Sequence, residues 1–259
     1  MMYGGCDKTE ELLQEVDTLR KKFNLDTQEL DGYTILVHGG RGSGKTYLAG
    51  DFLKTESAKG PVRFINVVGE DGSLTLRGMG LGDVGEDIDS LKDFNDALAE
   101  YTKLKVHAIA VDSIHALSRW IMQKVTGSDR LPEIRQGSNE WGDYHNTSYN
   151  TFMMLRRSAK MIMCVCPSDK SVEQLSGKTF VTPDLPGRQA AGSAGYFDFV
   201  GYLEATNTPS GVVRTFNMVP NNTIIVRQRL PRQIKEALTL PDGPGGWAFI
   251  KGKIEASWK

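Results

Sequence analysis

At 259 residues, with 31 basic and 32 acidic side chains and a formal charge of −1, the chain can bury a substantial core. It can do so as one large α/β domain or two small ones, without disulfide or metal staples. Near-neutrality excludes a wholly basic nucleic-acid-binding domain, so any such contact must come from a local patch. The N-terminal stretch has no apolar run of signal-peptide length, and nothing later approaches the roughly 18 apolar residues of a membrane span. A soluble, cytoplasmic protein with no membrane partner is expected.

In chain order, Leu12, Val16, Leu19 and Phe23 form one apolar stripe on a charged stretch. They predict an N-terminal helical segment within residues 1–30, packed on its own domain or docked on a neighbouring subunit as an oligomerisation element. A core domain follows over residues 31–259. Within it, residues 33–38 (YTILVH) read as a buried strand, 45–55 as a helix and 62–68 (VRFINVV) as a second strand, followed by a Gly- and acid-rich loop over 69–87. Ile88, Leu91, Leu98 and Tyr101 fit a helical face, residues 106–111 (VHAIAV) a third buried strand ending at Asp112, and 114–125 a helix.

A polar stretch over 126–146 leads to a helical run over 149–160, a fourth strand over 161–166 and a long loop over 167–195. Residues 196–206, 212–218 and 223–228 then alternate like strands joined by turns. Strands separated by helices predict an α/β fold, a mostly parallel sheet flanked by helices, with antiparallel strands on the C-terminal side. Cys6, Cys164 and Cys166 cannot all pair; the last two share one face of an apolar run and read as reduced core residues.

Gly39-Gly40-Arg41-Gly42-Ser43-Gly44-Lys45-Thr46 satisfies G-x-x-x-x-G-K-[ST] between an apolar strand and a helix, the context that gives this P-loop motif its meaning. Backbone N–H groups of such a loop converge on phosphate oxygens, and the helix N-terminus adds the positive end of its dipole. Lys45 is expected on the β- and γ-phosphates, Thr46 on Mg2+, and Tyr47 joins the nucleotide-binding set. Asp112, at the carboxyl end of a parallel strand, is placed to hold the same magnesium. Its alternative role is a helix N-cap, which Ser113 could equally fill. No Asn-Lys-x-Asp motif follows the fourth strand, which favours ATP over GTP.

With Val111-Asp112-Ser113-Ile114 closing the third strand, Tyr196-Phe197-Asp198-Phe199-Val200-Gly201 after the long loop, and Arg227-Gln228-Arg229-Leu230-Pro231, the chain resembles RecA-like ATPases. More narrowly, it resembles phage single-strand annealing ATPases of the Sak-four type, from about Tyr33 to Trp247. The resemblance implies a bacteriophage recombination protein with DNA-stimulated ATPase activity, binding single-stranded DNA and promoting annealing or strand exchange. It also implies a homo-oligomeric ring or filament, and a single-strand-binding protein as a possible partner in a bacterial host.

The resemblance further implies roles for individual residues. A glutamate after the second strand polarises the attacking water; Glu70 and Asp71 are the candidates, displaced by two residues from the family's spacing. A polar sensor follows the fourth strand in the family, where this chain has Cys166-Pro167-Ser168, with Ser168 as the substitute. Arg227 and Arg229 alternate along the predicted strand 223–228 and correspond to cations that reach the neighbouring subunit's γ-phosphate; the alternative is a surface pair with carboxylates such as Glu236. Two loops would face DNA: one offers Arg130 and Arg135 with Trp141 and Tyr144, the other Lys170, Lys178 and Arg188 with Phe180 as a stacking ring. Other functions open are a nucleotide-gated DNA-binding scaffold with negligible turnover and a P-loop small-molecule phosphotransferase. His38, His107, His115 and His145 show no catalytic or metal-ligand spacing.

Overall fold

The computed structural model describes residues 32–68, 72–174 and 177–258. The predicted N-terminal helical segment, Cys6, Glu70 and Asp71 lie outside these described residues. The first half of the fold runs β1 (Tyr33–Gly39), α1 (Lys45–Glu56), β2 (Val62–Val67), α2 (Ser73–Gly78), β3 (Gly85–Ile88), α3 (Leu91–Leu104), β4 (Ala108–Asp112) and α4 (Ile114–Thr126). The second runs α5 (Glu140–Ser158), β5 (Met161–Val172), β6 (Thr179–Pro183), α6 (Gln189–Tyr196), β7 (Phe199–Thr208), β8 (Gly211–Asn217), β9 (Arg227–Gln228), β10 (Leu238–Thr239) and α7 (Gly246–Trp258). No helix among the described residues is long and apolar enough to cross a membrane.

The strand order is β10-β8-β7-β1-β5-β4-β2-β3, with β6 paired to the far half of β5 and β9 to β7. From β7 to β3 the pairing is parallel, while β6, β8, β9 and β10 pair antiparallel, which is the expected mixed sheet. Because strand side chains alternate between faces, a sheet covered on both sides reads as an unbroken apolar run. Tyr33, Ile35 and Val37 pack with Leu48, Phe52 and Leu53 of α1 on one face, whereas Leu36, Cys164 and Cys166 pack with α3, α4 and α5 on the other. Both cysteines are buried, free and on that one face, as their spacing predicts.

Several predicted boundaries differ from the structure. The loop over 69–87 holds α2 and β3, and Ile88 ends β3 rather than starting a helix. α5 begins at Glu140, so its first two turns were read as loop; their buried positions are Tyr144 and Ser148, too sparse an apolar signal among polar neighbours. The long loop over 167–195 is instead the outer half of β5, its antiparallel partner β6, and α6. The outer half of β5 is mostly exposed and polar, so nothing apolar marked it as strand. The strand predicted over 223–228 shrinks to Arg227–Gln228 plus a single bridge from Ile224 to Val181.

The last helix is fastened to α1 by two buried acids. Asp51 accepts from the backbone N–H groups of Gly245 and Trp247, the latter at 2.7 Å. Glu56, fully buried, accepts from Trp247 Nε1 at 3.0 Å and Lys251 Nζ at 2.5 Å. Burial alone would push the Glu56 carboxyl up, but the bonds from Lys251, Trp247 and His107 outweigh it and hold the group below the usual range. Removing an acceptor from buried donors costs about 1–3 kcal/mol per orphaned group. Asp51→Ala strands two backbone N–H groups, so urea denaturation should show a loss of roughly 2–4 kcal/mol. A loss under about 0.5 kcal/mol would mean that the C-terminal helix is held by apolar packing alone.

Candidate functional site

The parallel strands point their carboxyl ends to one edge of the sheet. At that edge β1 enters the glycine-rich loop, which turns through Gly42 (φ 74°) and Gly44 (φ 96°) before α1 starts at Lys45. Two glycines are required by close approach as well. A Cβ on Gly39 would sit 2.2 Å from the Leu203 carbonyl oxygen of β7, and one on Gly44 would sit 2.8 Å from Arg214 Nε of β8. Lys45 Nζ donates to the Gly39 and Gly40 carbonyls, each at 2.9 Å, so its ammonium rests at the loop mouth.

β5 separates β1 from β4, yet the helix after β1 reaches back to the end of β4. Thr46 Oγ1 donates to Asp112 Oδ2 at 2.6 Å, and Asp112 is only 5% exposed. Ser113, not Asp112, caps α4, its side chain accepting from the Ala116 N–H. The Asp112 carboxylate is therefore left to face Thr46. A hydroxyl and a carboxylate at hydrogen-bond distance form a hard, all-oxygen donor pair, which fits Mg2+ with its remaining positions given to phosphate oxygens and water.

A cleft of about 800 Å³ opens at this corner, its lining including Arg41, Lys45, Thr46, Asp112, His115 and Ser168. Ser168 is governed by a residue to which its sequence spacing assigned nothing. His38, wholly buried on β1, has Nε2 2.7 Å from the Ile225 carbonyl and Nδ1 2.8 Å from Ser168 Oγ. A carbonyl only accepts, so Nε2 carries the proton, Nδ1 is an acceptor, and Ser168 must donate to it. Ser168 thus cannot donate to a phosphate as a sensor would; its free lone pairs are acceptors. Burial pushes the His38 ring down to about 4, which keeps it neutral in this role.

On the other side of the loop, a slot of about 280 Å³ is bounded by Tyr47, Leu48, Leu203, Arg214, Leu240 and Pro241. Tyr47 is exposed at its mouth. Arg214 lies 171 positions from Ser43, whose carbonyl it bonds at 3.2 Å, so no local motif could have marked it.

The other predicted residues fall into two groups. Arg130 forks onto Glu140 at 2.7 and 3.0 Å and also pairs with Glu133, while Arg135 pairs with Glu133 as well. Tyr144 is fully buried and donates to Gln189 at 2.7 Å, so it is a core residue and not a stacking ring. Lys170, Lys178 and Arg188 are exposed on the β5–β6 hairpin and before α6, with Phe180 half-buried opposite Ser171. Gln228 is buried between Arg227 and Arg229, which places both arginines on the outer side. Arg229 pairs with Asp198 at 3.3 Å, a carboxylate shared with Arg156, rather than with Glu236.

A family model described as AAA domain matches residues 31–230. Among solved structures, a KaiC-like protein from the hyperthermophilic archaeon Pyrococcus horikoshii OT3 aligns with a TM-score of 0.51 at 15% identity, covering 83% of this chain and 88% of that one. At that identity the likeness is one of fold. No curated protein matches the chain.

The His38 contacts generate a pH signature. Below about pH 6.5 the unfolded chain protonates this histidine, while the folded ring stays neutral down to about 4, so unfolding takes up a proton and stability falls as pH drops through that window. Across most of that interval the loss is on the order of 2–3 kcal/mol. His38→Gln keeps a donor for Ile225 and an acceptor for Ser168 but has nothing to titrate. Urea melts at about pH 7 and 4.5 should therefore show a smaller loss in this variant than in the parent; equal losses would assign the acid sensitivity elsewhere.

Proposed function

We propose that this chain, which belongs to the AAA domain family and has a RecA-like P-loop ATPase fold, hydrolyses ATP with Mg2+ to control its grip on single-stranded DNA. In this reading it promotes annealing or strand exchange as a recombination protein. The observation that carries the nucleotide half is the 2.6 Å contact of Thr46 with Asp112 beside Lys45, three groups from two elements brought to one corner. Thr46 and Asp112 would hold the magnesium, whose charge when bound offsets that of the phosphate oxygens. Lys45 would trade its loop carbonyls for β- and γ-phosphate oxygens. The Tyr47–Arg214 slot would take the base, with ring and guanidinium as flat partners.

The DNA half rests on the hairpin. Lys170 and Lys178 stand exposed there, and β5 carries Lys170 two residues beyond Ser168, so nucleotide state and DNA contact would share one strand. Arg130 and Arg135 are already neutralised by Glu133 and Glu140 and make weaker phosphate partners. Arg227 and Arg229 would act across a subunit boundary in a homo-oligomer, supplying cations to the neighbour's γ-phosphate.

ATP hydrolysis measured with and without single-stranded DNA tests this assignment. The parent should be stimulated, Lys45→Ala should lose turnover altogether, and Arg227→Ala/Arg229→Ala should bind ATP but lose the stimulated rate. DNA binding without any turnover in the parent would instead mark a nucleotide-gated scaffold. Lys170→Ala/Lys178→Ala/Arg188→Ala should weaken DNA binding and flatten the slope of log affinity against log salt by about 2, three contacts at roughly 0.7 each. If Arg130→Ala/Arg135→Ala flattens the slope instead, the DNA path runs over residues 126–140.

A further inference from the structure

We infer that His115 and Ser168 together hold the water that attacks the γ-phosphate, each accepting one of its two hydrogens; this rests on the ATPase reading above. His115 lies in the first turn of α4, three residues beyond Asp112, and lines the same cleft as Lys45, Thr46 and Ser168. Its Nδ1 is 2.8 Å from the Asp184 carbonyl oxygen. That oxygen can only accept, so Nδ1 carries a proton, and in the neutral ring Nε2 then keeps its lone pair. The Asp184 carboxylate, 3.4 Å from the same nitrogen, is a second acceptor facing that proton. The side chain is 28% exposed, and with its Nδ1 edge covered by Asp184 the open edge is the one bearing Nε2.

Ser168 arrives at the same polarity by an independent route, because its only proton is committed to His38. The sheet register aligns the strand positions from which the two depart, one into α4 and the other along β5. Asp112 stands opposite Val165 on the adjacent strands β4 and β5, and His115 and Ser168 each follow three residues later. Asp184 is tied to this edge too: its N–H donates to the Pro167 carbonyl at 2.8 Å, and Cys166 Sγ donates to its carbonyl.

Two acceptors are what an attacking water needs. Its oxygen must aim a lone pair at phosphorus, so both O–H bonds must point to groups that take a hydrogen bond; a donor at either place would turn the oxygen away. Asp112 is not available for this, being occupied by Thr46 and the expected magnesium. In the step itself the water oxygen bonds to the γ-phosphorus while the bond from that phosphorus to the β–γ bridging oxygen breaks. The electron pair leaves with ADP, and both hydrogens of the water depart on the released phosphate.

The test is steady-state hydrolysis, together with equilibrium binding of a fluorescent ATP analogue, on the full chain and its variants. His115→Ala and the ring-filling His115→Phe should both lower kcat about 100-fold, the scale of a misplaced nucleophile, with nucleotide affinity within about twofold. His115→Gln, whose amide oxygen can accept, should recover about tenfold of that loss, and Ser168→Ala should lower kcat in the same way. The inference is overturned if His115→Ala and His115→Phe turn over at the parent rate, if Gln rescues nothing, or if Glu70→Gln alone abolishes turnover. A parent no faster than Lys45→Ala removes the ATPase reading and this inference with it; an active parent with unaffected His115 variants removes this inference alone.

Discussion

The hydrogen bond from Thr46 to Asp112 constrains the rest of the carboxyl edge. Its partners belong to elements separated by a whole strand, since β5 lies between β1 and β4, and two strand spacings amount to about 9.6 Å. For Thr46 to reach across, α1 must leave β1 at an angle and lie over β5 and β4. The composition beneath it permits this. Ala108 and Ala110 of β4 and Met163 and Val165 of β5 pack in the same cluster as Leu48, Ala49 and Phe52 of α1, small or pliant side chains that let the helix approach. The site thus depends on core residues that never touch a nucleotide.

Around that bond the edge divides by polarity. The loop glycines, Lys45 and Arg41 present donors and positive charge, as an incoming polyphosphate requires. Asp112, Ser168 and His115 present acceptors, which suit a metal ion or a water. His38 and His115 each have one ring nitrogen bonded to a backbone carbonyl, that of Ile225 and of Asp184 respectively, so the other nitrogen of the neutral ring is an acceptor. The two carbonyls belong to the 223–229 segment and the 183–188 connection, so the chain beyond β5 takes part in setting the polarity of the cleft.

The P-loop and the parallel strands were legible because their signals are local: eight consecutive residues for the first, unbroken apolar runs for the second. Asp112 was legible as a candidate only, since Asp112 and Ser113 are equally good caps in sequence and the Ser113–Ala116 bond assigns the cap. The contacts of His38 and His115 were not legible. Their partners lie 130, 187 and 69 positions away, and an isolated histidine carries no spacing to read. The β5–β6 hairpin escaped for a different reason. Its paired residues, Asp169 with Thr182 and Lys170 with Val181, face solvent on at least one strand, so period-two alternation of apolar residues never develops. The 223–226 stretch misled in the opposite sense: it alternates suitably, but Asn221 turns the chain by accepting from the Thr223 and Ile224 N–H groups, and little of it can join a ladder.

The two ends of α1 are asymmetric in a way that bears on how a signal leaves the site. At its start the helix offers Lys45 and Thr46 to the cleft. Farther along, the buried Asp51 and Glu56 hold α7 and its lead-in through Gly245, Trp247 and Lys251. A helix anchored by buried, hydrogen-bonded acids resists displacement, because moving it would orphan several donors at once. Phosphate occupancy is therefore poorly placed to act by shifting α1. β5 has the opposite character: its inner half is buried between β1 and β4, while its outer half carries Lys170 on an exposed hairpin that meets the cleft at Ser168, Pro167 and Asp184. The hairpin is tied in turn to the 223–225 segment through Val181, whose N–H donates to the Thr223 carbonyl and whose carbonyl accepts from the Ile225 N–H, so the acceptor side of the cleft, the hairpin and the chain before β9 form one hydrogen-bonded unit apart from the P-loop helix.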